Sequence, residues 1–163
     1  MELFDLGTAL LAQLTGSRRD LREHPVFQDH PLLLSRLVSK LTYCVRDAQP
    51  RYVAVDMAGP SPDAPFNVAL FTDDHVFHLV YDPAVDHITT TVVSRASVRA
   101  VELLSAPNFM AGDQPGTYQG ALQVQVTYND IVVRLPGDNL ATEANRQRLD
   151  DFFPSLLEDL ARR

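Results

Sequence analysis

Residues 72–87 read TDDHVFHLVYDPAVDH, a stretch in which short polar groups flank one run of apolar residues. The run VFHLVY has the length and the β-branched and aromatic content of a strand. Asp-Asp before it and Asp-Pro-Ala-Val-Asp after it are typical of turns, because aspartate side chains bond to nearby backbone and proline fixes its own φ. The stretch therefore predicts the middle strand of a meander, flanked by the strands NVALF and HITTTVV.

The same stretch holds three of the five histidines of the chain, which raises the question of a metal or acid/base site. Side chains alternate across a strand, so His75 and His78 should project from opposite faces. His87 should pair beside Asp82, seven residues along the strand from His75, or roughly 23 Å away. One ion cannot bind both histidines, and we expect no metal, no cofactor and no catalytic residue here. His78 is predicted to be a partly buried core or edge histidine.

The size and composition of the chain predict one domain. Its 163 residues are 45% hydrophobic and 21% charged, which suits a single core over residues 1–163. No apolar run approaches the twenty residues that cross a bilayer, and Glu2 and Asp5 stand where a signal peptide is basic. We therefore expect a cytoplasmic protein without membrane insertion.

Two further features of the composition are informative. Cys44 lies in an apolar stretch and is predicted to be buried by packing rather than to be a reactive thiol. The chain has thirteen arginines but a single lysine, Lys40, which indicates a GC-rich bacterial source.

Charge is distributed unevenly along the chain. Residues 1–51 carry seven basic and six acidic groups, a net +1, whereas residues 52–163 carry seven basic and fifteen acidic groups, a net −8, which together give the total of −7. A unit at −8 repels polyphosphate backbones and anionic headgroups at long range. We therefore expect neither nucleic acid nor phosphoinositide or other anionic lipid as a partner.

Periodicity and chain breakers predict the helices. Leu3, Leu6, Leu10 and Leu14 recur at helical spacing and predict an N-terminal amphipathic helix that ends at Gly16. Residues 17–30 predict a loop with one helical turn. A second helix is predicted from Pro31 to near Ala48, with Leu34, Leu37, Leu41 and Val45 as its apolar stripe. A C-terminal amphipathic helix is predicted to start after Asp138 or Asn139 as its cap and to contain Pro154.

From Arg51 onward the apolar period is two, which predicts strands. RYVAVDMA is predicted to be a strand and GPSPDAP a loop, and residues 121–135 predict a hairpin that turns at Asn129-Asp130. Residues 95–104 fit either a helix or a strand, and we favour the strand. Residues 107–120 predict a long loop in which Phe109, Met110 and Tyr118 form a sticky patch or fold back onto the sheet.

The predicted fold class is α+β, with two N-terminal helices, about seven antiparallel strands in a barrel or strongly bent sheet, and a C-terminal amphipathic helix. The stretches TTTVVSRASVRAVELL and LQVQVTYNDIVVRL resemble the small bacterial pleckstrin-homology-like (PH-like) domains, over residues 51–161, with residues 1–50 as a helical extension. The resemblance implies binding of proteins, peptides or lipids rather than catalysis. Lipid-binding members gather Lys and Arg in the first loop, whereas GPSPDAP has Asp63 and no basic residue.

We therefore expect a non-catalytic interaction module that binds a protein partner or itself, as a homodimer, through a sheet edge, the long loop or the helical pair. Two alternatives stay open. A helix at residues 95–104 would favour an acidic binding protein that resembles secretion-chaperone-like and YbjN-like bacterial proteins. A pocket at the barrel mouth, with His78 or His87 as its polar group, would favour a small enzyme or ligand carrier.

Overall fold

The computed structural model describes residues 2–106 and 122–162, which form an α+β fold. Its helices are α1 (Leu3–Ser17), α2 (Pro25–Asp29), α3 (Leu33–Val45) and α4 (Glu143–Ala161). Its strands are β1 (Tyr52–Met57), β2 (Phe66–Phe71), β3 (His75–Asp82), β4 (His87–Ser94), β5 (Ala100–Ser105), β6 (Gln123–Thr127) and β7 (Val132–Leu135). The predicted class, with N-terminal helices, seven strands and a C-terminal helix, is confirmed. None of the helices in these ranges is long and apolar enough to cross a bilayer.

The strands form two antiparallel sheets, in the orders β1-β2-β3-β4 and β5-β6-β7, and over the described ranges they do not close into a barrel. The predicted meander is confirmed, and β1 extends it to four strands. Asp82 lies opposite His87, as the turn residues of the 72–87 stretch predict. β6 and β7 form the predicted hairpin.

The segment that fitted both a helix and a strand is a strand. A single 3-10 turn, Arg95–Ser97, follows β4, and β5 then pairs with β6. The Ser94 side chain accepts from the Ala96 N–H and so stabilises the turn. The long loop predicted at residues 107–120, with Phe109, Met110 and Tyr118, lies outside the described residues.

The ends of the helices differ from the predicted ones. α1 continues through Gly16 to Ser17, and α3 starts two residues after Pro31. The predicted cap of the C-terminal helix is wrong, because α4 starts at Glu143 and its N-cap is Thr142, whose hydroxyl accepts from the Asn145 N–H.

Two hydrophobic clusters hold the layers together. The first lies between α1, α3 and one face of the four-stranded sheet, and it includes Leu10, Leu37 and Leu79. The second lies between the other face of that sheet, the three-stranded sheet and α4, and it includes Phe71, Val126 and Leu149. Because β1 and β2 are covered on both faces, they are almost continuously buried. The helical extension therefore covers one face of the four-stranded sheet.

Candidate functional site

The outer side of the helical pair carries an apolar groove. The start of α1 lies beside the end of α3, and the two helices approach closely at Gly7, where a Cβ atom would lie 3.2 Å from the Thr42 Oγ1 atom. The groove has a volume of about 580 Å³. We call it the helix groove, and its lining comprises Leu3, Phe4, Gly7, Thr8, Leu11, Arg22, Pro31, Leu34, Ser35, Val38, Ser39, Thr42 and Tyr43.

Large apolar side chains stand exposed on the rim of the helix groove. Phe4 is 82% exposed and Tyr43 is 66% exposed, although most aromatic residues of the chain are buried. Leu3, predicted to belong to the buried stripe of α1, is also exposed, whereas Leu6 and Leu10 reach the core. Exposed apolar side chains grouped around a concave surface mark interaction sites more often than scattered ones do.

The charges at the helix groove are basic. Among residues 2–106 and 122–162, Arg22 is the one charged residue in the lining of the groove. Arg46 is not in the lining, but its guanidinium lies 4.5 Å from the centroid of the ring of Tyr43, which does line the groove. At this distance the cation and the ring attract each other. An apolar ligand with flanking negative charges would therefore meet a cation in the groove and another beside its rim.

A second, polar pocket of about 330 Å³ lies between the start of α2, the end of β1 and the β7–α4 connection. The Arg18 Nε atom donates to Asp138 Oδ2 at 2.7 Å, and the same oxygen accepts from the Met57 N–H at 3.1 Å. His24 Nδ1 accepts from the Val26 N–H, so Nε2 carries the proton and donates to the Gly59 carbonyl at 2.7 Å. Because these polar groups form hydrogen bonds with one another, they hold the end of α1, the start of α2, the end of β1 and the β7–α4 connection together.

The other buried ion pair fastens α4 to the four-stranded sheet. Arg95 Nε and Asp159 Oδ2 lie 2.8 Å apart, and both side chains are almost fully buried. The guanidinium also donates to the carbonyls of Thr72, at 3.0 Å, and Ser155, at 3.1 Å, and it lies over the Phe152 ring. Burial raises the pKa of Asp159, and the hydrogen bond from Arg95 lowers it in part. These contacts join α4 to the end of β4.

The histidines of the 72–87 stretch do not converge. His75 lies opposite Ser94 and His87 opposite Asp82, at the two ends of the β3–β4 hairpin. His78 lies between them, half-buried, and its Nε2 atom has no hydrogen-bond partner in the described structure. Burial lowers the pKa of His78 and favours the neutral ring. Over residues 2–106 and 122–162, no group of three or more His, Cys, Asp or Glu side chains could hold a metal ion.

Sequence reasoning named the helical pair as a possible binding surface but did not identify Phe4, Tyr43 or the groove between the helices. The sequence does contain a pattern that indicates the groove. Phe4 and Leu11 are seven residues apart, and Leu34 and Val38 are four apart, so each helix has a second, short apolar row beside its buried stripe. Cys44, predicted to pack, lies partly buried against the core.

Comparison with known proteins gives no family. No model of a protein family matches the chain, and no curated protein matches its sequence. Among solved structures, the chain is similar to the hSac2 domain from human phosphoinositide phosphatase Sac2, with 15% sequence identity and a TM-score of 0.42 over 80% of this chain and 82% of that one. A likeness at this level assigns neither a family nor a function.

Proposed function

We propose that this protein is a non-catalytic protein-interaction module on a PH-like scaffold, and that its helix groove binds an amphipathic helix of a partner protein. The observation that carries the proposal is the exposure of Phe4 and Tyr43, at 82% and 66%, on the rim of a concave apolar surface. Burying one such aromatic side chain contributes roughly 1.5 to 3 kcal/mol. A partner that covers both gains the burial of two aromatic side chains within one concave surface.

The order of the elements supports a PH-like scaffold. Residues 52–161 form a four-stranded sheet, a three-stranded sheet and a terminal helix that packs against both. The strand at Ala100–Ser105 is what this scaffold requires at that place, whereas a chaperone-like arrangement requires a helix. The helical extension is an addition to the scaffold, and it creates the groove.

A helix is the occupant that fits the groove best. A groove between two packed helices accepts a third helix, and the small residues Gly7, Thr8 and Ser39 allow its backbone to approach closely. From Phe4 to Leu11 the groove follows seven residues of α1, or about 10 Å, which matches two turns of a bound helix. The partner helix should therefore carry apolar residues at positions i, i+3 or i+4, and i+7.

Charge selects the flanks of that helix. Arg22 lines the groove, Arg46 contacts Tyr43 on its rim, and residues 1–51 carry a net +1 beside a remainder at −8. We expect acidic residues on both sides of the apolar stripe of the partner, because they would pair with these two arginines at short range. An anionic membrane would also face the −8 remainder of the chain, which disfavours it as the occupant.

Two synthetic peptides of identical composition test the proposal. One places leucines at helical spacing with glutamates on either side, and the other has the same residues in scrambled order. In a titration of the full chain followed by amide NMR shifts, the first peptide should shift Gly7 and Val38, and the scrambled peptide should not. Loss of an aromatic anchor costs about 2 kcal/mol, so Phe4→Asp should weaken binding about thirtyfold.

The control variant is Val85→Asp, which changes an apolar residue of similar exposure, 68%, in the β3–β4 turn. This variant should bind the helical peptide as the unaltered chain does. Equal binding of both peptides, or no effect of Phe4→Asp, would refute the groove as the site. If Phe4 instead mediates adsorption to phosphatidylcholine vesicles in a sedimentation assay, the apolar rim serves a membrane surface and the protein-binding proposal fails.

A further inference from the structure

In the described residues, no strand pairs with the outer edge of β4 in the four-stranded sheet, and Lys40 of α3 occupies the Ile88 carbonyl at one end of that edge. β4 pairs with β3 in continuous register along all eight of its residues. Edge strands usually carry a charge, a proline or a bulge that blocks pairing with another chain. HITTTVVS has no Asp, Glu, Lys, Arg or Pro and contains six β-branched residues in a row. The residues of β4 themselves therefore do not block the pairing of this edge with another strand.

Two hydrogen bonds show which backbone groups point to the open side. The Arg95 N–H donates to the Asp74 carbonyl at 2.8 Å, so odd-numbered residues bond towards β3. The Lys40 Nζ atom, which comes from α3, donates to the Ile88 carbonyl at 3.1 Å from outside that ladder. Because antiparallel residues alternate, the N–H and C=O groups of Thr90 and Val92 point to the open side with those of Ile88.

We propose that β4 pairs antiparallel with β4 of a second copy of the chain, with Thr91 of both copies at the two-fold axis. In this register Thr90 of each copy faces Val92 of the other, and the two pairs form four backbone hydrogen bonds. The two four-stranded sheets then join into one sheet of eight strands. Val92, which is 49% exposed in the single chain, becomes covered by Thr90 of the second copy.

Local charges at the two ends of the β3–β4 hairpin complement each other in this register and act at short range against the net −7 that each copy carries. In the proposed register Ile88 faces Ser94 of the second copy, so Lys40 at one end approaches the end of the other hairpin that carries Asp74. Lys40 has a backbone carbonyl as its acceptor in the single chain, and Asp74 is exposed. The two-fold axis repeats this contact, which makes the interface self-complementary.

Cysteine cross-linking tests the register in the full chain with Cys44→Ser. Thr89 and Thr91 point to the same face of β4, which makes them a matched pair of sites. At the axis, two Thr91→Cys residues would lie about 4.5 to 5.5 Å apart between Cα atoms, within disulfide range. Two Thr89→Cys residues would lie about 13 Å apart, which is too far. In a glutathione redox buffer, Thr91→Cys should form a covalent dimer at least about ten times faster than Thr89→Cys.

Sedimentation equilibrium without cysteine variants tests the association itself. The unaltered chain should show a concentration-dependent dimer, and Val92→Lys should abolish it because it places like charges on both sides of the axis. The control is Val132→Lys, at an apolar residue of similar exposure, 52%, in β7, and it should leave the dimer intact. A chain that stays monomeric at every concentration, or equal cross-linking at residues 89 and 91, would overturn the proposal. Phe4→Asp should still form the dimer, so the test of the β4 dimer is independent of the test of peptide binding in the helix groove.

Discussion

The buried pair of Arg95 and Asp159 gives a prediction that separates the burial of a charge from the strength of its ion pair. Asp159→Asn keeps the shape of the side chain and removes its charge, which leaves the Arg95 guanidinium buried without a counter-ion. Arg95→Met does the reverse and leaves a buried carboxylate. The double variant Arg95→Met/Asp159→Leu removes both charges and keeps the site apolar.

The expected costs follow from the contacts of the guanidinium. Breaking a buried ion pair by removing one partner costs about 3 to 5 kcal/mol. Arg95 retains the carbonyls of Thr72 and Ser155 as acceptors, so we expect Asp159→Asn to lie at the lower end, near about 3 kcal/mol. This corresponds to a fall in Tm of roughly 6 to 12 °C for a domain of this size. The double variant should lie within about 1 kcal/mol of the unaltered chain, because an apolar replacement of the pair is often neutral.

pH distinguishes the two single variants. Asp159→Asn removes a group whose pKa is raised by burial, so only the unaltered chain gains stability from its protonation as the pH falls, and the cost of this variant should be at least as large at pH 5 as at pH 7. Burial raises the pKa of Asp159, and loss of Arg95 removes the hydrogen bond that lowers it. A folded-state pKa above the unfolded value makes the folded form gain protons first, so the cost of Arg95→Met should shrink as the pH falls.

Urea unfolding followed by circular dichroism gives the free energy of unfolding of each chain at both pH values. Asp159→Leu, measured alongside, closes the double-mutant cycle with Arg95→Met, and a double-variant cost equal to the sum of the Arg95→Met and Asp159→Leu costs would show that the two residues do not interact. If Asp159→Asn lowers the free energy of unfolding by less than about 1 kcal/mol, the pair contributes no more than an exposed ion pair does, and the expectation that its burial makes it costly to break is refuted.

Two further predictions concern single sites. Because burial lowers the pKa of His78 below its usual value of 6.5, stability should fall as the pH drops below 6.5, and His78→Leu should reduce that loss in urea unfolding, with His87→Leu as the control. Gly137 has φ +110°, and a Cβ atom there would lie 2.2 Å from the Val55 carbonyl oxygen, so Gly137→Ala should cost more than about 3 kcal/mol. Gly16, with nothing within 4 Å of its added Cβ atom, is the matched control, and its change to Ala in α1 should stabilise by about 0.5 to 1 kcal/mol.

The strands could be predicted because their signals are local. In the 72–87 stretch, the turn residues and the alternating apolar positions lie next to one another, and together they fix the pairing of Asp82 with His87. The same alternation identifies the β6–β7 hairpin. For residues 95–104, a local pattern was compatible with two structures, and pairing of β5 with β6 decides for the strand.

The start of α4 could not be predicted, because it depends on a distant contact. Asp138 is a good cap by residue type, but its Oδ2 atom accepts from Arg18, which lies 120 residues earlier in the chain, and its Oδ1 atom accepts from the Leu140 N–H in a turn before the helix. The helix therefore begins later, at the next suitable side chain, Thr142. The helix groove escaped prediction for a similar reason, since only the packing of α1 on α3 decides that Phe4 remains exposed.

The arrangement of the two hydrophobic clusters has a consequence for the order in which the chain folds during synthesis. All members of the first cluster lie between Leu6 and Ile88, whereas the second cluster includes residues up to Leu156. All residues of the first hydrophobic cluster are therefore synthesised before β5, and N-terminal units of a chain often fold first during synthesis. Until the later residues arrive, the nascent chain must keep the second face of its sheet, including Tyr52 and Phe71, from aggregating.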